Sequence, residues 1–269
     1  MQRPLVWCVG AIVTALLALS CSSGDDTESG TSVTPTTTES TSLSVLVTND
    51  DGVEAPGIDA LVQALIGLPD TDVTVVAPAE NQSGSGSNTT PGALDVRDAT
   101  TASGYPAKAV SGYPADSVIW AIDQGGIAAR PDIVISGINA GQNIGPAVPI
   151  SGTVGAAKAA VERGIPALAA SQGIAATLDY PAGVDEVISW LDLHRDELTA
   201  DAAPPTAVEN LNVPTCPTGT VRGVVEAPVA PDAGGRIATE VDCLSTKNDF
   251  VDDIDAFVNG YAVLSDIAL

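Results

Sequence analysis

Basic residues, histidine and aromatics are all scarce in this chain. Ten Lys and Arg stand against 34 Asp and Glu, for a formal charge of −24. A surface of that sign repels phosphodiester backbones and anionic lipid faces, which argues against a nucleic acid polymer or a membrane surface as partner. It does not exclude a small phosphate held through a metal. The one histidine, His194, follows Val187 and Leu191 on a helical face and reads as structural. A histidine-based metal site or a Ser-His-Asp triad has too little to build on. Aromatics are 3% of the residues, so the core must come from Val, Ile, Leu and Ala. The four cysteines, Cys8, Cys21, Cys216 and Cys243, match no zinc spacing.

The 269 residues suffice for one large domain or two small ones with a proper core. Residues 1–21 have the layout of an export signal. Arg3 gives a positive start, Leu5 to Leu19 is apolar but short for a membrane span, and Leu17-Ala18-Leu19-Ser20-Cys21 closes it. That ending resembles a bacterial lipoprotein cleavage box with Cys21 as the lipidated residue; ordinary signal cleavage is the alternative. Residues 22–42 follow as a polar tether: 13 of these 21 residues are Ser or Thr, four are acidic and none is basic. Such a segment cannot bury a core and is expected to be disordered. The expectation is an exported protein, lipid-anchored on the extracytoplasmic side or secreted, touching a membrane only through its lipid. Export implies an oxidising compartment. With Cys8 removed and Cys21 lipidated, Cys216 and Cys243 are left to form a disulfide.

The folded domain is expected over 43–269. Leu43 to Thr48 is a short apolar run that reads as a buried strand, ending at Asn49-Asp50-Asp51-Gly52. Asp-Asp-Gly is also an ordinary turn. A helix follows rather than a second strand, with Ile58, Leu61, Val62 and Leu65 on one face. Further strands are expected at Val73 to Val76, Asp132 to Ser136 and Ile165 to Ala170, with helices over Ala115 to Ile122, Ser151 to Arg163 and around Val184 to Leu191. Thr89 to Val110 reads as a loop or hairpin excursion. Strands alternating with helices predict an α/β fold: a Rossmann-like, mostly parallel sheet with helices on both faces, plus a C-terminal extension.

Parallel strands send their C-terminal loops to one edge, where such sheets bind ligands. The Asp50-Asp51 loop, the loop of Ala77 to Ser85 and the loop of Ser136 to Gly145 then meet. Asp50, Asp51, Ser83 and Asn139 supply carboxylate, hydroxyl and amide oxygens with no imidazole or thiolate. That set suits a hard divalent cation, Mg²⁺ or Mn²⁺. Ser151-Gly152-Thr153 opens an Ala-rich helix. Its free N–H groups suit a phosphate oxygen, although Ser151 is also an ordinary N-cap.

Four ordered segments now resemble the SurE family of 5′/3′-nucleotidases. They are Val47 to Ile58 (VTNDDGVEAPGI), Ala77 to Gly84 (APAENQSG), Arg130 to Asn143 (RPDIVISGINAGQN) and Ile150 to Ala157 (ISGTVGAA). Leu211-Asn212-Val213 and Asn259-Gly260-Tyr261 carry a weaker resemblance. The resemblance implies a divalent-metal phosphatase acting on nucleoside monophosphates and a homo-oligomer, dimer or tetramer, built by C-terminal exchange. It puts the metal ligands on Asp50, Asp51, Ser83 and Asn139. Asn143 and the Ser151 to Thr153 N–H groups would hold phosphate oxygens, and either Asp50 or Asp51 would help deprotonate the water. The chain departs from the family in reading Gly112-Tyr113-Pro114-Ala115-Asp116-Ser117 where a Thr-Pro is usual. The alternative is a non-catalytic surface lipoprotein that binds a phosphorylated ligand.

Overall fold

The computed structural model describes residues 42–200, 203–235 and 240–269. The expected export signal, Cys21 and all of the tether but its last residue lie outside the described residues. Nine strands form one sheet: β1 (Leu43–Thr48), β2 (Thr71–Pro78), β3 (Val96–Thr100), β4 (Pro106–Val110), β5 (Ile133–Ala140), β6 (Ala167–Gln172), β7 (Ala207–Val213), β8 (Val224–Glu226) and β9 (Ala262–Ala268). Their spatial order is β3-β4-β2-β1-β5-β6-β7-β9-β8. From β4 across to β7 every pairing is parallel. Antiparallel partners close both sides, β3 on β4 and β9 on β7. The helices are α1 (Pro56–Leu65), α2 (Pro114–Asp123), α3 (Gly152–Val161), α4 (Tyr180–Leu198) and α5 (Asp253–Val258), with a 3₁₀ turn at Gly145–Ile150.

Strand β1 shows why its sequence is an unbroken apolar run. Val45 and Val47 join one core with Ile58, Leu61, Ile135, Leu168, Val187 and Leu191. Leu46 faces the opposite core, made by Val76, Val118, Val134, Val154, Ala156 and Ala160. Parallel strands covered on both faces have no solvent side to alternate toward. The second core substitutes alanine for bulk, which brings helix α3 close to its neighbours. A Cβ on Gly155 would lie 2.0 Å from the carbonyl oxygen of Gly86, so glycine there lets the loop after β2 lie directly on the helix.

Within the expected excursion at 89–110, residues 96–110 form the hairpin of β3 and β4 and residues 89–95 are loop. One expectation needs correction. β5 does not stop at Ser136 but continues to Ala140, with a shift of register against β6 between Ser136 and Asn139. Asn139 therefore sits on the strand rather than in a loop. The irregularity re-aims the side chains at the strand end, a frequent device beside ligand sites. The C-terminal extension supplies β8 and β9 and a third core, Ile144, Ala230, Ile254, Phe257 and Val263. The Cys216–Cys243 disulfide forms across 27 residues of sequence. Among the described residues, no helix is long and apolar enough to cross a membrane.

Candidate metal and phosphate site

The chain leaves β1 toward β2 on one side and later returns to add β5 on the other. That reversal opens a crevice at the carboxyl ends of β1 and β5. Asp50 and Asp51 stand at the first end and Asn139 at the second. Their turn is made by Asn49, a buried side chain whose amide donates to the Gly52 carbonyl at 2.9 Å and whose oxygen accepts the Gly52 N–H at 3.2 Å. Sequence reading passed over Asn49. An Asn three residues ahead of its partner amide is a local turn-maker, and that signal was available.

The two carboxylates are held differently. Asp50 accepts the Thr153 hydroxyl at 2.8 Å. Asp51 accepts the Ala140 N–H at 2.8 Å and the Asn81 amide at 3.2 Å. Burial pushes the Asp50 carboxyl up to about 6; the Thr153 hydroxyl pulls against this and the Asp51 charge adds to it. Burial likewise raises Asp51, against the pull of Ala140 and Asn81. No Lys or Arg is among the groups that shift either carboxyl. Tyr180 and Asp51 line one cavity of about 550 Å³, where burial and the Asp51 charge push the phenol up to about 12.

The donor set fits a hard cation. A buried carboxylate next to a half-buried one, with no basic side chain shifting either among the described residues, calls for a cation. Asn139 spends its NH₂ on the Gly141 carbonyl at 2.6 Å, which leaves its amide oxygen to accept or ligate. The Ser85 hydroxyl is buried with no hydrogen-bond partner among the described residues. A Cβ built on Gly152 would lie 2.8 Å from that Ser85 Oγ and 2.9 Å from Asp50 Oδ2, so both converge on the start of α3. Among the described residues no cluster of three His, Cys, Asp or Glu side chains exists to hold a metal. Amide and hydroxyl oxygens must complete any shell begun by Asp50 and Asp51.

The remaining expected residues fall as follows. Ser83 is exposed and directly follows Gln82, whose N–H donates to the Asp50 carbonyl at 2.7 Å. Ser151 caps α3, its hydroxyl accepting the Val154 N–H at 3.1 Å, so the side chain serves the helix. Gly152 and Thr153 are buried in the first turn of α3, at the positive end of the helix beside Asp50. Asn143 is buried; its amide donates to Ser171 Oγ at 2.9 Å and to Thr153 Oγ1 at 3.3 Å. His194 lies on α4 with Nδ1 2.7 Å from the Trp190 carbonyl oxygen and its ring stacked on Trp190 at 4.2 Å, a structural histidine as expected. At the Tyr113 departure, the Asp116 carboxylate reaches back to the Tyr113 N–H at 2.8 Å and caps α2.

Known proteins share this sequence and fold. The family model described as "Survival protein SurE" matches residues 45–232. The 5′-nucleotidase SurE of Symbiobacterium thermophilum is 40% identical over 182 residues, covering 67% of this chain and 69% of that one. The 5′-nucleotidase SurE of Geobacter metallireducens is 39% identical over 204 residues, covering 74% and 76%. The crystal structure of the SurE protein from Aquifex aeolicus superposes with a TM-score of 0.66 at 27% identity, over 84% of this chain and 93% of that one. With the family model matching residues 45–232 and relatives 39–40% identical over at least 67% of each chain, the chain belongs to the SurE family.

Proposed function

We propose that this protein is a metal-dependent phosphomonoesterase that hydrolyses nucleoside 5′- or 3′-monophosphates to nucleoside and phosphate. One observation carries the reading: the Asp50 carboxylate sits against the N-terminus of α3, with Asp51 next to it in the chain and no Lys or Arg among the groups that shift either carboxyl. Asp50, Asp51, Asn139 and Ser83 would hold the cation, Mn²⁺ or Mg²⁺. When bound, it supplies charge against the developing phosphoryl charge and lowers the pKa of a water.

The chain's own residues do the rest. The Thr153 hydroxyl fixes one oxygen of Asp50, and the Ala140 N–H fixes one oxygen of Asp51. The first-turn N–H groups of Gly152 and Thr153, with Asn143 behind them, orient the phosphoryl oxygens. Either aspartate would take the proton of the attacking water. The test is phosphate release from a panel of nucleoside monophosphates with Mn²⁺, Mg²⁺ or EDTA. Metal-dependent release is expected; none with any metal from folded protein would overturn the reading. Asp51→Asn should cut turnover by orders of magnitude with the circular dichroism spectrum unchanged.

The same reading places the domain outside the cytoplasm on a lipid at Cys21. The Cys216–Cys243 disulfide supports an oxidising compartment. Mass spectrometry of the N-terminal peptide tests it: acylation at Cys21 is expected, and an unmodified cysteine or a different N-terminus would replace anchoring with plain secretion. A dimer or tetramer is expected by light scattering on the purified protein.

A further inference from the structure

The amide of Asn143 links two parts of the site, and something must hold that amide still. Asn143 lies just past the end of β5, in a segment with little regular structure of its own. Its peptide groups are gripped from β7. Asn212 Oδ1 accepts the Asn143 N–H at 2.7 Å, across 69 residues of sequence. Asn212 Nδ2 donates back to the Asn143 carbonyl at 3.3 Å, and Asn210 Nδ2 donates to the same oxygen at 2.9 Å. Both asparagines are buried. A single side-chain amide thus pairs both main-chain groups of Asn143, as a neighbouring strand would.

The grip continues toward the carboxylates. Asn143 Nδ2 donates to Thr153 Oγ1, and Thr153 Oγ1 donates to Asp50 Oδ1. The hydroxyl can do both because it has one proton to give and lone pairs to receive. Each step is directional, and all four residues are buried, where water does not compete for the bonds.

We propose that Asn212 is a positioning residue of the active site: by holding both peptide groups of Asn143 it sets the Asn143–Thr153 bond and, through it, the orientation of the Asp50 carboxylate toward its cation. This rests on the metal-dependent phosphatase reading above. Asn210 assists by sharing the carbonyl. Neither asparagine touches substrate or cation.

A double-mutant cycle tests it, because coupling through Thr153 makes the two losses non-additive. Mn²⁺ binding by titration calorimetry is measured on wild type, Asn212→Ala, Thr153→Val and the double variant, with kcat and KM alongside. Asn212→Ala should weaken Mn²⁺ binding about 10-fold in the wild-type background, the scale for residues that orient metal ligands. It should weaken it less than about 2-fold where Thr153 is already Val. Equal losses in both backgrounds, or full Mn²⁺ affinity in Asn212→Ala, would overturn the proposal. If Asn212→Ala does not fold, Asn212→Asp carries the same cycle, since it keeps an oxygen for the Asn143 N–H and removes the amide donated to the Asn143 carbonyl. Wild-type protein that neither binds Mn²⁺ nor releases phosphate would overturn the phosphatase reading itself. Wild-type protein that does both, with additive losses in the cycle, would overturn the positioning role alone.

Discussion

Thr153 donates its hydroxyl to Asp50, Oγ1 to Oδ1 at 2.8 Å, across 103 residues of sequence. The bond ties the first turn of α3 to the end of β1, so that helix and the first carboxylate move as one piece. Thr153→Val keeps the shape and removes the bond. It should reduce Mn²⁺ affinity about 10-fold and lower stability by about 1–2 kcal/mol, since a buried carboxylate and a buried amide each lose a partner. Calorimetry and urea unfolding of the same sample check both.

Gly152 packs closely against the first carboxylate. A Cβ there would come within 2.8 Å of Asp50 Cβ and of Ser85 Oγ, and within 2.9 Å of Asp50 Oδ2. Gly152→Ala should therefore displace the carboxylate while leaving the helix, which tolerates alanine well. A displacement of this kind is expected to cost about 100-fold in turnover. Steady-state kinetics together with an unchanged far-ultraviolet spectrum would establish it.

The metal-free protein should lose stability as pH rises through the range where Asp50 ionises. Its carboxyl is raised from 3.8 to about 6 by burial, so the folded protein binds a proton there more tightly than the unfolded chain. That contribution is fully present below the unfolded value and is lost as pH climbs through the folded one. With EDTA present, replacing Asp50 by Asn should flatten the pH dependence of Tm between about 4 and about 6. An unchanged slope would remove Asp50 as its source.

The disulfide closes a loop between positions 27 residues apart. Chain-entropy reasoning gives such a crosslink about 3–4 kcal/mol. In a domain of this size the double Ser variant of Cys216 and Cys243 should melt about 10 °C lower, as calorimetry with and without reductant would show. Phosphate release at temperatures well below the melt should survive, because β1, β5 and α3 lie outside the crosslinked loop.

Much of this was legible in the sequence where a residue's role is local. Leu43 to Thr48 reads as a strand because both of its faces are buried, and Ser151 reads as a helix cap because capping is settled within four residues. The Asp50-Asp51 pair announces itself by standing between a strand and a helix. The disulfide followed from counting cysteines against the expected export signal. Asn139 was misplaced into a loop because the irregularity in β5 depends on pairing with β6, and a one-strand pattern carries no record of its neighbour. Asn212 gave only a family likeness, since its partner is 69 residues away. Ser85 read only as the end of a polar loop; its hydroxyl stands out only once Gly152 and Asp50 are brought beside it.

The order in which the strands are made runs against the order in which they sit. β1 is the first strand of the domain and lies between β2 and β5. A chain emerging from its N-terminus can pair β1 on one side once Thr71–Pro78 has appeared, but the other side waits for Ile133–Ala140. Throughout that interval the strand leading to Asp50 and Asp51 presents an apolar ribbon with a bare row of N–H and C=O groups, the form most prone to pair with another chain. The segment that will hold the chemistry is thus also the one that needs shelter during synthesis.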